Sequence, residues 1–305
     1  MNKTPKINRL FLATIVWSLA SSLIMGFFPF IYKMTTVQLM AFSQLLYLLP
    51  VLVFMIINRV DPRKWMPLVP LRISTVGIVV LYALLLLPVT SWLNLISMLF
   101  VQNAFAGSQA ELSNNSFWVN LLVIGILPAI CEEFTFRGLY YNGYRQRGVW
   151  CAILGSAFAF GLMHLNFNQF CYAFVLGAAF GLLLEATGSI FATMTAHFII
   201  NGWNVMVMAL SGPLSRLTGE ASGAEIELTT DMLINAICVY TVIAAVCACL
   251  AGAVLIWIAK HCGRLPHLKW CFRRREKRQG EPRTMLTPAF IAAFVIAFIY
   301  MIRRG

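Results

Sequence analysis

Long apolar runs recur along the whole chain, and each is close to the ~20 residues that a helix needs to cross the core of a bilayer. Lipid offers the backbone no hydrogen-bond partner, so only helices or closed barrels can span it. The runs are continuous rather than alternating, which selects helices. Charged residues make up 11% of the chain, against about 25% in soluble domains. The sequence therefore predicts an all-α, polytopic transmembrane helix bundle.

The apolar runs predict about eight spans, and one further run lies at the C-terminus. The third run contains Pro88, followed by polar residues, so we expect it to kink or to end early and continue as an interfacial helix. The C-terminal run, Met285 to Ile302, is either a ninth span or an interfacial helix, because a span would place Arg303 and Arg304 outside. The eight predicted spans are Leu10 to Tyr32, Val37 to Ile57, Ile73 to Val101, Phe117 to Tyr140, Val149 to His164, Phe170 to Glu185, Ile190 to Leu210 and Met232 to Ala259.

The net charge of +12 comes mainly from the short connections between apolar runs. Three connections are basic, within residues 59–72, 145–147 and 260–283, whereas residues 107–115 carry no Lys or Arg and residues 211–231 are acidic. Basic connections stay on the cytoplasmic side, so we predict a cytoplasmic N-terminus. Anionic lipid headgroups are the expected counter-surface, rather than nucleic acid. The expected location is a membrane, and the cell membrane if the chain is bacterial.

Eight cysteines lie mostly inside or beside apolar runs, and no two form a Cys-x-x-Cys pair. Free cysteine behaves as a small apolar side chain in such surroundings. We therefore predict packing roles for all eight rather than metal or redox roles.

Ionisable residues at membrane depth are costly, which makes them candidates for function. The fourth span contains Glu132, Glu133 and Arg137. Glu133 and Arg137 are four residues apart and can pair on one helix face, whereas Glu132 points about 100° away. An ion-pair cluster that merely ends a span would have the same composition. It would leave one of two adjacent carboxylates unpaired, and two close carboxylates suit general acid and base catalysis.

Three more polar residues lie on later spans. His164 closes the apolar fifth span, and His197 and Asn201 share one face of the seventh because they are four residues apart. Taken singly, each could be an interfacial or interhelical hydrogen-bonding group. Together with the two carboxylates, they have the composition of a site that activates water. Glu185 lies before Thr187-Gly188-Ser189 and is interpreted as part of a helix end with a capping turn.

Three motifs in this order, Glu-Glu-x-x-x-Arg, Phe-x-x-x-His and His-x-x-x-Asn, resemble the motifs of the CPBP family. That family includes type II CAAX prenyl endopeptidases, bacteriocin-processing and self-immunity proteins, and Abi proteins. The resemblance covers roughly Phe117 to Met208. It implies a membrane endopeptidase whose site opens toward the cytoplasmic side, with a peptide or membrane-protein substrate.

The resemblance also implies a role for each site residue. Glu132 would activate the water, with Glu133 and Arg137 in support. His164 would lie against the same water, and His197 with Asn201 would face the developing oxyanion. No cofactor is favoured, although zinc stays open with Glu132, His164 and His197 as candidate ligands.

Two other kinds of protein compete with the enzyme. One is a non-enzymatic scaffold or bacteriocin-immunity protein that keeps the motifs as a polar core, and the other is a proton-coupled transporter. No inverted repeat supports the transporter. The oligomeric state and the presence of a prenyl group on the substrate stay open. We divide the chain into N-terminal transmembrane helices at 1–116, a CPBP-like core at 117–210, an extracytoplasmic loop and a further span at 211–259, a basic cytoplasmic segment at 260–284 and a C-terminal apolar helix at 285–305.

Overall fold

The computed structural model describes residues 3–103, 109–218, 229–273 and 285–304. All regular elements in these four ranges are helical, and seven helices are long and apolar enough to cross a membrane. The predicted all-α membrane bundle is therefore confirmed, and the chain is a multi-pass integral membrane protein. The longer helices are α1 (Thr4–Met25), α2 (Thr36–Ile57), α3 (Ile73–Ser97), α4 (Phe117–Arg147), α5 (Val149–Met163), α6 (Phe167–Thr187), α7 (Ile190–Thr218), α8 (Thr230–His261), α9 (Leu265–Cys271) and α10 (Pro288–Arg304).

Seven of the eight predicted spans correspond to these long helices, and the remaining one is α5. That helix has 15 residues and is therefore about 22 Å long at 1.5 Å per residue, against a hydrocarbon core of about 30 Å. Most of its residues are buried by neighbouring helices, and Gly177 of α6 lies so close that an added Cβ would come within 2.7 Å of the Cα atom of Ala157. This helix is an internal element of the bundle.

Several predicted span boundaries differ from the structure by a few residues, and two of the differences concern α1 and α3. The first helix ends at Met25 rather than near Tyr32, and a short 3-10 turn, Ile31–Lys33, follows it. The third run was expected either to kink or to end early at Pro88, and the early end is wrong, since α3 continues through this proline as one helix to Ser97. A proline inside a membrane helix is tolerated where neighbouring groups satisfy the freed backbone carbonyl.

Local sequence signals explain where several helices begin and end. Thr35 and Gln38 form a reciprocal capping box at the start of α2, and the Asn166 side chain accepts a hydrogen bond from the Gln169 backbone at the start of α6. Gly188 ends α6 in the left-handed conformation, with φ of 70°. A glycine adopts this conformation without steric cost.

The C-terminal helix α10 packs against the bundle rather than extending away from it. Phe290 contacts Phe11 of α1 and Phe158 of α5, with ring centroids 5.7 and 5.8 Å apart. The Asn8 amide donates to the Met285 carbonyl at 2.8 Å, which fixes the entry to the helix. The 17-residue length of α10 leaves the choice between a span and an interfacial helix open.

Much of the sequence that predicts orientation lies outside the described residues. This holds for 104–108, for 219–228 and for 274–284, which carries most of the basic C-terminal segment. We expect Asn114, before α4, to lie outside the cell and Lys269, on α9, to lie in the cytoplasm. Both side chains are exposed.

The orientation can be measured with one cysteine at a time in a background without the native cysteines. A membrane-impermeant maleimide added to intact cells should label Asn114→Cys and should leave Lys269→Cys unlabelled until the cells are opened. Labelling of Lys269→Cys in intact cells would reverse the orientation.

Candidate active site

The two adjacent glutamates lie on a single α-helical segment of α4 that has a π-helical segment on each side. Residues Leu127–Glu133 are α-helical, whereas Leu121–Ile126 and Phe134–Tyr140 are π-helical. A π turn adds a residue to the repeat and rotates the side chains that follow, and such turns are frequent at functional sites. The predicted span therefore carries its carboxylates at a local irregularity.

Pro128 accounts for part of this irregularity. Proline has no N–H, so the carbonyl of Ile124, four residues earlier, loses its α-helical donor. The Asn201 side-chain amide, on α7, donates to that carbonyl at 3.0 Å. Asn201 thus joins α7 to α4 next to the two glutamates, and one of its two amide hydrogens is used for a structural bond.

Glu133 is the centre of a buried hydrogen-bonded group. Its Oε1 atom accepts from Arg137 Nη1 at 3.0 Å, and both side chains are 0% exposed. The same oxygen lies 2.8 Å from His197 Nδ1. The four-residue spacing predicts the pair with Arg137, and the contact with His197 connects it to α7. A buried carboxylate with these partners is fixed in position.

The Arg137 guanidinium lies between two aromatic rings as well as beside Glu133. Its central carbon is 4.7 Å from the ring centroid of Phe160 and 5.2 Å from that of Phe180. Its Nε and Nη2 atoms are buried and have no acceptor among the described residues. The ring faces partly compensate for the lost hydration of the cation. Arg137 is therefore held rigidly by helices α4, α5 and α6.

Glu132 faces a different environment from its neighbour. Its side chain is 14% exposed, and its Oε1 atom accepts from the Gln44 amide of α2 at 2.8 Å. Its Oε2 atom lies 3.8 Å from His197 Nε2. That distance is too long for a direct hydrogen bond, although both atoms can contact one bound molecule. Glu132 is the more exposed carboxylate of the pair.

The hydrogen bonds assign the proton positions on His197. Glu133 belongs to a buried ion pair and acts as an acceptor, so Nδ1 of His197 donates to it. The other nitrogen, Nε2, is then an acceptor in the neutral ring and a donor in the protonated ring. The group of Glu132, Glu133, Arg137 and His197 has no net charge when His197 is protonated.

His164 lies at the edge of this group without bonding to it. Its Nδ1 atom donates to the Phe160 carbonyl at 2.9 Å, which leaves Nε2 as the free acceptor of the neutral ring. The Phe160 ring lies 5.1 Å from the His164 ring and 5.9 Å from the His197 ring. Among the described residues, no hydrogen bond joins His164 to Glu132.

The three candidate zinc ligands do not come together as a ligand set. A zinc site needs donor atoms within a few ångströms of one another around one centre. Glu132 and His197 approach to 3.8 Å, but the only such cluster of three in the described part of the chain is Glu185, His267 and Cys271. The side-chain positions of Glu132, His164 and His197 therefore do not fit a shared zinc ion, and no step is assigned to one there.

Two residues that shape the site, Gln44 and Phe180, belong to none of the sequence motifs. Gln44 lies 88 positions before Glu132, and no motif connects them. Phe180 is an aromatic residue within an apolar helix, and its contact with His197, at 5.7 Å between ring centroids, depends on the packing of α6 against α7. The sequence could have indicated Gln44, because it is a polar residue inside an apolar run and polar residues at membrane depth need partners.

The binding of Gln44 to Glu132 leads to a prediction for turnover. Gln44→Leu removes a donor from the carboxylate with little change in volume, and a hydrogen bond to a charged group contributes about 1.5–3 kcal/mol. For the endopeptidase activity that the family resemblance implies, we expect kcat to fall about 10- to 100-fold with little change in KM. Steady-state kinetics should show no such loss for the control Ser43→Ala, whose exposed hydroxyl bonds only to the Met40 carbonyl. Wild-type kcat in Gln44→Leu would show that α2 does not position Glu132.

The bond of Asn201 to Ile124 predicts a loss of stability. Asn201→Ala leaves that carbonyl without its donor, and an unsatisfied buried group costs about 1–3 kcal/mol. The free energy of unfolding in detergent should fall by this amount, whereas Asn204→Ala, at an exposed position on the same helix, should change it little. A loss of turnover with no loss of stability would favour the oxyanion role over the structural one.

A second polar group surrounds Glu185, and we name it the Glu185 cluster. Sequence analysis interpreted Glu185 as part of a helix end, and α6 does end two residues later, yet its side chain is only 5% exposed. The carboxylate accepts from Tyr141 and His267, and Arg145 Nε lies 2.9 Å from Oε1. The other members of the cluster are Arg264, which donates to the Glu185 carbonyl, and Cys271.

Comparison with known proteins identifies the segment that carries the site. Residues 114–203 match a family model described as "Type II CAAX prenyl endopeptidase Rce1-like". The chain is 33% identical over 86 residues to the Uncharacterized protein YpbD of Bacillus subtilis (strain 168), a match that covers 27% of this chain and 42% of that protein. No solved structure matches the chain. Residues 114–203 hold all six predicted site residues, and their match to the Rce1-like family model agrees with the resemblance to the CPBP family.

Proposed function

We propose that the chain is a membrane endopeptidase in which Glu132 activates a water molecule for peptide hydrolysis. One observation carries the proposal: within the matched segment, a reachable carboxylate lies 3.8 Å from an imidazole nitrogen that a second, buried carboxylate orients. Peptide hydrolysis needs a base near a water molecule and a donor near the oxyanion. Glu132 and His197 are positioned to supply them.

The reaction begins when Glu132 takes a proton from water as the oxygen attacks the scissile carbonyl. In its protonated form, His197 donates from Nε2 to the developing oxyanion, and Glu133 balances the charge on the ring through Nδ1. Arg137 keeps Glu133 in place and makes no contact with the substrate. Glu132 then returns its proton to the leaving amine. In this scheme Glu132 acts first as the general base and then as the general acid.

Asn201 and His164 have smaller roles in this scheme. Asn201 holds α7 against α4 and thereby sets the distance between His197 and Glu132. His164 supplies an acceptor at the end of α5, next to the Phe160 ring, and we assign it to substrate positioning. Both assignments differ from the direct roles that the family resemblance implies.

The substrate is a peptide or a membrane protein whose cleaved bond reaches the membrane interface. A prenylated CAAX peptide is the substrate class that the family description suggests, and leader peptides or membrane-anchored proteins are the second class. Anionic lipid headgroups at the basic connections are the proposed membrane partner.

Hydrolysis by the purified chain separates the enzyme from a scaffold, an immunity protein or a transporter. The protein in detergent is incubated with a prenylated CAAX peptide and with a leader peptide in water enriched in the heavy oxygen isotope. Mass spectrometry should find one heavy oxygen in the new carboxyl group of a product. Intact peptides of both classes, with a protein shown to be folded, would contradict the proposed activity.

A further inference from the structure

We propose that Glu185, His267 and Cys271 form a binding site for a divalent transition-metal ion, with zinc as the best chemical match. The three donors come from two elements, the end of α6 and the short helix α9. Their ligand atoms all lie within 4.8 Å of one another. Carboxylate, imidazole and thiolate are the three side-chain types that bind zinc.

Two of the three distances between ligand atoms suit one ion between the side chains. Cys271 Sγ lies 3.8 Å from Glu185 Oε2 and 3.9 Å from His267 Nε2, and the last two atoms are in direct contact. Zinc binds sulfur at about 2.3 Å and nitrogen or oxygen at about 2.0–2.2 Å, so tetrahedral ligand atoms lie about 3 to 4 Å apart. The two distances to sulfur are in this range, whereas Glu185 and His267 must exchange their direct hydrogen bond for bonds to the ion and move apart. His267 and Cys271 are four residues apart and share one face of α9.

The rest of the Glu185 cluster orients the carboxylate. Tyr141 donates to Oε1, and Arg145 Nε lies 2.9 Å from the same oxygen, with a longer contact of 3.4 Å from Nη2 to Oε2. Ligands of metal ions are commonly fixed by such partners. The positive charge of Arg145 also repels a metal ion. The Glu185 carboxylate and the Cys271 thiolate together carry two negative charges, which offset this repulsion.

Binding displaces the thiol proton to solvent. Burial, together with the Glu185 carboxylate, raises the pKa of Cys271 to about 11, so the thiol is protonated near neutral pH without an ion. A zinc ion deprotonates a coordinating thiol. His267 coordinates as the neutral ring through Nε2, and a water molecule takes the fourth position.

The proposed ion joins the end of α6 to α9 and is separate from the Glu132 site. In the described ranges, no hydrogen bond or ion pair links Glu185 to Glu132 or Glu133. A chelator could therefore reduce activity by loosening α9, without any metal ion at the reacting water. The inference does not depend on peptidase activity.

Metal binding by the full chain, purified in detergent without a polyhistidine tag, tests the site. We expect about one zinc ion per chain by elemental analysis, and a thiolate-to-metal charge-transfer band when cobalt replaces zinc. Both signals should be lost in Cys271→Ser and in His267→Gln. The His267 side chain is one-third exposed, so His267→Gln should disturb the fold less than Cys271→Ser. Tyr141→Phe should weaken zinc binding about 10- to 100-fold.

The adjacent pair His261 and Cys262 provides matched controls at the end of α8. His261→Gln and Cys262→Ser change the same residue types outside the cluster and should leave the zinc content and the cobalt spectrum unchanged. If the purified wild-type protein holds no zinc and shows no cobalt band, the three side chains form a hydrogen-bonded cluster that binds no metal ion, and the proposal is wrong. Unchanged binding in both Cys271→Ser and His267→Gln would equally overturn the proposal.

Discussion

Glu132→Gln is expected to abolish peptide hydrolysis while the protein stays folded and binds its substrate. The amide keeps the size of the carboxylate and can still contact Gln44, so the packing of α2 against α4 should persist. It cannot take a proton from water, and a positioned general base contributes about 100- to 10,000-fold to the rate. Activity should therefore fall by at least that factor, whereas the affinity for a non-cleaved peptide should change little. Product formation and peptide binding are measured on the same preparation.

Glu111→Gln is the matched control for this substitution. Glu111 is exposed and accepts from the Thr36 backbone at 2.7 Å at the start of α2, where its hydrogen bonds to Thr36 lower its pKa. Removing its charge changes the protein's net charge by the same amount as Glu132→Gln but at a distant surface. It should leave turnover near the wild-type value. Substantial hydrolysis by Glu132→Gln would transfer the role of the base to another group and would favour the scaffold interpretation of the motifs.

Periodicity predicted the parts of the site that lie on one helix. The four-residue spacing of Glu133 and Arg137 implies a shared face, and the structure has that ion pair. The same reasoning separates Glu132 from Glu133 by about 100°, and the two side chains do have different partners. Local geometry of this kind follows from the backbone alone.

Contacts between helices could not be read from spacing. The partner of Glu132 on α2 and the contact of His197 with Glu133 both depend on how α2, α4 and α7 pack. The role of Asn201 was predicted from the family resemblance as an oxyanion contact, whereas its amide bonds to a carbonyl that Pro128 leaves without a donor. Pro128 is visible in the sequence, but only the packing of the helices shows that the Asn201 amide donates to the Ile124 carbonyl.

The length of α5 is a second case in which tertiary structure decides. Its apolar composition predicts a span, and hydropathy does not distinguish a lipid-facing helix from one that is buried in protein. The close approach of Gly177 to Ala157 shows that α5 packs directly on α6. A short internal helix places the Phe160 ring, between the two histidines, at the centre of the bundle rather than in lipid.

Arg137→Ala is expected to destabilise the protein by about 3–5 kcal/mol, because it leaves the Glu133 carboxylate buried without its cation. Both side chains of the pair are 0% exposed, so water cannot replace the lost contact. The free energy of unfolding in detergent and the folded yield should both fall. Activity should fall as well, since Glu133 would no longer be held against His197.

Two comparisons distinguish a buried pair from a general effect of removing a charge. Lys64→Ala breaks a surface ion pair with Asp61, in which the Lys64 side chain is 83% exposed. This substitution should lower the free energy of unfolding by less than about 1 kcal/mol. The double variant Glu133→Gln/Arg137→Met removes both buried charges, and it should be more stable than Arg137→Ala alone because no uncompensated charge remains. Its activity should nevertheless stay low, since the amide at position 133 cannot balance the charge of a protonated His197. A stable, fully active Arg137→Ala protein would show that the pair neither holds the helix nor supports the site.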